Sequence, residues 1–136
     1  MASFNKFESF VGELGFGTHQ LHAAGHTLKI FLTNEQPLAA DTVKADMAEI
    51  TNEHGYAPAD IQNDYTETAG TGTLTGTDVV FTAAGGSFGP FQFVVLYNDT
   101  AASDELIGWW DYGSAITVLT GETFTTDFGA SILTVE

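Results

Sequence analysis

The chain has 136 residues, no cysteine, three lysines, no arginine and 18 carboxylates, for a formal net charge of −15. That length sets a single domain (1–136) as the expectation and lets it bury roughly two-thirds of its unfolded surface, while the lack of cysteine excludes disulfides and thiolate metal sites. So acidic a surface repels phosphate, which argues against nucleic acid and anionic membranes as partners; there is no apolar run able to cross a bilayer, and Met1–Lys6 lacks the charged start and apolar core of a signal peptide, so synthesis in a cytoplasm is expected.

In chain order, Phe4, Phe7, Phe10 or Val11, and Leu14 recur at helical spacing and predict one short amphipathic helix over 3–14, with Ser3 as N-cap and Gly15 as C-cap. His19 to His22 can open a short strand, and Thr27–Thr33 is a strand with Leu28, Ile30 and Leu32 on one face and Lys29, Phe31 and Thr33 on the other. Pro37 lies just beyond its end. Residues 41–50 fit a short helix or the start of a strand, and 52–64 read as a polar loop. The Thr/Gly run 66–77, with Leu74 as its one apolar residue, suits an edge strand or hairpin. Asp78–Ala83 is a strand and Ala84–Gly86 a turn.

The rest of the chain is organised around residues 88–136. Phe91–Tyr97 is apolar on nearly both faces, as a central strand covered on each side must be, with Phe91, Phe93, Val95 and Tyr97 expected on one face. Strands follow over 106–112, 115–119, 123–128 and 132–135, each cut off by Gly, Asn, Asp or Ser. One helix and seven or eight short strands predict a mainly β fold, a two-sheet antiparallel sandwich of jelly-roll type.

Chemistry-bearing patterns are sparse. His19, His22 and His26 fall within eight residues, but their spacing fits neither a helical zinc motif nor a finger, leaving a metal site or plain polar surface as readings. Gly12–Gly17 is glycine-rich without the lysine of a phosphate loop. The acidic loop 98–105 has oxygen ligands suited to calcium, without the order of an EF-hand. No catalytic constellation and no cofactor motif stands out, so no enzyme activity and no cofactor are expected. Trp109 and Trp110 are adjacent, so on a strand they face opposite ways: one belongs in the core, and the other is either an exposed anchor or covered by a further layer.

The motifs Tyr97-Asn98-Asp99-Thr100 and Gly108-Trp109-Trp110-Asp111-Tyr112-Gly113, with Gly89-Pro90-Phe91, Phe4-Asn5-Lys6-Phe7 and Thr27-Leu28-Lys29, resemble a family of small structural proteins of tailed bacteriophages, most like capsid decoration (cement) proteins. The resemblance is weakest over 51–77, and residues 128–132 form a shorter turn than the family's. It implies an acidic, trimeric virion component made in the bacterial host. It would bind the major capsid protein on the outside of the head and stabilise the shell without catalysis. Phe4, Phe7, Trp109 and Trp110 are the candidate partner-binding residues, with the 66–77 edge beside them. The alternative is a tail- or fibre-associated module that binds host carbohydrate through an exposed tryptophan.

Overall fold

The structure, a computed structural model, describes residues 2–136. Its ten strands are β1 (Phe4–Lys6), β2 (Leu28–Thr33), β3 (Ala59–Asp60), β4 (Asp64–Thr68), β5 (Thr71–Thr75), β6 (Val79–Thr82), β7 (Phe88–Asn98), β8 (Leu106–Val118), β9 (Thr123–Thr126) and β10 (Leu133–Val135); the helix α1 is Ser9–Gly15 and a 3-10 turn spans Lys44–Asp46. The fold is mainly β. Its strands form a five-stranded sheet ordered β1-β8-β7-β2-β3, a three-stranded sheet β10-β5-β4 and the pair β6-β9, with every pairing antiparallel.

β7 is the central strand of the largest sheet, as its two apolar faces require. The alternation of β2 holds: Leu28, Ile30 and Leu32 enter the main core and Phe31 enters a second cluster on the opposite face. In β7, Val94 and Leu96 join the main core, and Val95 and Tyr97 the second. Phe91 departs from simple alternation, packing with Val94 and Leu96 rather than with Val95. The cause is a bulge. Phe91 pairs with Ile116 and Phe93 with Asp111, so the single residue Gln92 faces the four residues 112–115. Asp111 closes the bulge by accepting from the Gly113 N–H at 2.7 Å and from Gln92 Nε2 at 2.9 Å, with Gly113 at φ +84°. The segments 106–112 and 115–119 are therefore one long bent strand, not two.

The expected helix over 3–14 divides. Residues 4–6 pair with β8, placing Phe4 opposite Trp110, and only 9–15 are helical, with Glu8 rather than Ser3 at the N-cap and no side-chain cap. The Phe4/Phe7 spacing that reads as helical serves instead to put Phe4 over one sheet face and Phe7 under the other. Of residues 66–77, 66–75 belong to the β4–β5 hairpin, whose second strand is interior to its sheet, and Leu74 is fully buried. Residues 19–22 form no strand; 41–50 form the 3-10 turn and two isolated bridges, Val43 to Glu105 and Thr33 to Glu49.

Candidate functional site

Of the four residues singled out as contact candidates, the structure makes two interior. Phe7 is fully buried and Trp110 is 4% exposed. Phe4 lies edge-on to Trp110 at 5.0 Å, over Gly108, where a Cβ would come within 2.2 Å of its ring. Trp109 is half-buried on the opposite face, 4.6 Å from the Phe7 ring. The two tryptophans thus face opposite ways, and both face aromatic cover contributed by residues 4–7. That pairing was invisible to a helical reading of the segment.

Exposed apolar side chains gather elsewhere. Phe16 is 83% and Val11 59% exposed, at the end and on the outer side of α1. Val11 lines a groove of about 260 Å³ between α1 and β10, with Phe10, Leu14, Leu133 and Val135 as its other apolar residues and Lys6 and Glu136 as its charged ones. A helix of seven residues that buries only Phe10 leaves half of its apolar stripe outside.

The second face of the large sheet carries a polar cluster. Residues 42–50 cross it, tied to β8 through Leu106 N–H to the Thr42 carbonyl and to β2 through Ile50 N–H to the Leu32 carbonyl. Lys44 Nζ lies 5.4 Å from the centres of both the Phe31 and Tyr97 rings and 2.8 Å from Glu49 Oε1. Tyr56 donates to Glu49 Oε2 at 2.6 Å and accepts from the Leu32 N–H at 2.9 Å. Burial pushes the Glu49 carboxyl up, but the hydrogen bonds from Lys44, Tyr56 and Asn52 outweigh it and hold the group below its ordinary value. Burial and the Glu49 carboxylate drive the Tyr56 phenol well above its ordinary range. Burial and the neighbouring Asp99 raise Asp104, and burial and Asp99 likewise raise the Tyr97 phenol. Lys44, Met47, Glu49, Ser103 and Asp104 line an open cleft of about 360 Å³. Lys44 is already matched by Glu49, so the cluster reads as a lid over the Phe31–Tyr97 pair and presents no free cation to an anionic ligand.

The histidines separate. His22 is exposed, whereas His19 is 5% exposed and, with His26, turns its Nδ1 to the side-chain amide of Asn98, at 3.0 and 2.9 Å. Among the described residues no group of three His, Asp or Glu converges in a way that could hold a metal ion. In the 98–105 loop, Asp99 is paired with Lys29 at 3.1 Å, and the Asn98 side-chain oxygen accepts from the Thr100 and Ala101 N–H groups. Two of the loop's oxygen ligands are thereby committed to internal contacts.

No protein-family model, no curated protein and no solved structure matches the chain. Among the described residues the chain is mainly β, built from antiparallel sheets with one helix.

Proposed function

We propose that the chain is a non-catalytic structural component of a tailed-phage particle, a decoration protein that binds the major capsid protein on the outside of the head, as a homotrimer. The motif resemblance of 97–100 and 108–113 suggests the class. The observation that carries the attachment surface is the exposed Val11 lining the α1–β10 groove, with Phe16 exposed at the end of the same helix. On a chain of net charge −15, a neutral or basic partner surface is favoured, and this groove offers apolar area from Phe10, Val11, Leu14, Leu133 and Val135, with Lys6 and Glu136 as its charged lining residues. Modest contacts repeated around a trimer multiply in effect, and binding that favours the expanded shell stabilises it by mass action.

The architecture we propose is a sandwich. Leu74 of β5, Phe81 of β6, Phe128 and Ile132 share one core with Ile30, Val94 and Ile107 of the large sheet, which supports the two smaller sheets forming one layer over a common face. The test is copy number in purified virions, by quantitative mass spectrometry against the major capsid protein. A simple whole-number relation to capsid subunits is expected. A handful of copies per particle, or none, overturns the reading.

A further inference from the structure

Residues 16–27 form a long irregular segment between α1 and β2, held down by two buried asparagines. Asn63 donates through Nδ2 to the Leu21 and His26 carbonyls, at 2.8 and 3.1 Å, while its Oδ1 accepts from the Leu28 N–H at 3.0 Å. Asn98, at the end of β7 and fully buried, holds the same segment from the other side. Its Oδ1 is occupied by the Thr100 and Ala101 N–H groups, both at 3.1 Å, which fixes the amide orientation. The Nδ2 hydrogens therefore point at His19 Nδ1 and His26 Nδ1, with the Thr18 carbonyl further off at 3.4 Å.

This arrangement dictates tautomers. An amide NH2 is a donor only, so each Nδ1 must be a bare acceptor and each imidazole must carry its proton on Nε2. In His19 that Nε2 is buried without a hydrogen-bond partner, and the ring lies against Phe10, 5.4 Å between centres. A protonated His19 would set an N–H against the Asn98 N–H and place a charge in an apolar wall. The groups facing it are the Glu105 carboxylate at the start of β8, Glu13 of α1 and His26 of its own segment; Asn98 of β7 and Phe10 of α1 are neutral.

We infer that Asn98, His19 and His26 form an acid-released latch, closed at neutral pH, that fastens residues 16–27 to the large sheet and lets them go on acidification. Burial lowers His19 below its ordinary 6.5, outweighing the opposing pull of Glu105 and Glu13, and His26 lowers it further. The sign follows. Above the ordinary value both closed and open forms are neutral and the latch is intact. As the pH falls below 6.5 the open form takes up a proton that the closed form refuses, so opening is favoured by up to about tenfold per pH unit until the closed form itself titrates. Asn63 reaches the segment through backbone groups only, so its contacts do not depend on an imidazole acceptor. The segment should swing out from the Asn98 side first.

Hydrogen exchange on the intact chain at pH 7.0 and 5.0, corrected for the intrinsic pH dependence of the rates, tests the latch. Faster corrected exchange across 16–27 at the lower pH, with β7 and β8 amides unchanged, is the expected result, and His19→Gln, which keeps an acceptor for Asn98 but cannot titrate, should diminish the difference. Unchanged or slower exchange at pH 5.0 overturns the latch; slower exchange would mean that Glu105 captures protonated His19 in place. Should His19→Gln fail to fold, nitrogen-15 correlation spectra of the unaltered protein decide by themselves. Both imidazoles must show the Nε2–H tautomer at pH 7, and an Nδ1–H form at either position overturns the inference.

Discussion

The two faces of the five-stranded sheet are closed by different means. One face, with Leu28, Ile30, Val94, Leu96 and Ile107, is covered by other strands and their apolar side chains. The other, with Phe31, Val95, Tyr97 and Leu106, is covered by Phe7, Met47 and the crossing segment 42–50, whose Lys44, Glu49 and Tyr56 contacts are polar. The strand-covered face depends on apolar area and shape, which do not themselves titrate; only the 16–27 segment, with Leu21 in that core, ties it to a histidine. The segment-covered face depends in part on hydrogen bonds and one ion pair, which are sensitive to pH.

The sharpest break in that contrast is Phe91→Ala. Phe91 is fully buried, stacked with Phe88 and edge-on to Phe124, and its loss should cost about 3–5 kcal/mol, read as a lower urea midpoint at every pH. Tyr56→Phe comes next, because the ring lies in the strand-covered core beside Phe81 while the hydroxyl serves the other cover. The ring stays but the Leu32 N–H loses its acceptor, so a loss of about 1–3 kcal/mol is expected in the same assay. Lys44→Met keeps the apolar stem over Phe31 and Tyr97 and removes the charge. Glu49, held below its ordinary 4.5, stabilises the fold above that pH and loses the contribution as the pH falls through its folded value. The variant should thus be weaker by up to about 1 kcal/mol near neutrality and converge with the parent in acid, with Glu49 titrating higher by carbon-13 spectroscopy. Phe16→Ser should alter stability by no more than about 0.5 kcal/mol, since the ring is exposed, and, under the proposed decoration role, should reduce occupancy on capsids in a pelleting assay.

Much of this was legible from the residues. Alternation in 27–33 gave both faces of β2, and a strand apolar on both sides could only be central. The adjacent tryptophans had to diverge, and they do. What escaped was set by partners distant in sequence. Phe4 and Phe7 are three apart, which fits a helix turn, but pairing of 4–6 with 108–110 overrides that local preference. The bulge at 112–115 lies behind a Gly-Ser pair that looks like any turn. The histidine cluster announced itself by spacing, but its organiser, Asn98, is more than seventy residues away, and nothing local marks an asparagine as the donor to two imidazoles.

The pairing of β1 with β8 also constrains how the protein can be made. Residues 4–6 have no strand to join until residue 110 has left the ribosome, a wait on the order of ten seconds at ordinary elongation rates. During that interval Phe4, Phe7 and Phe10 have neither Trp109 nor Trp110 to pack against. The large sheet is therefore completed only after both partners of that pairing have emerged, and until then Phe4 and Phe7 lack their tryptophan cover.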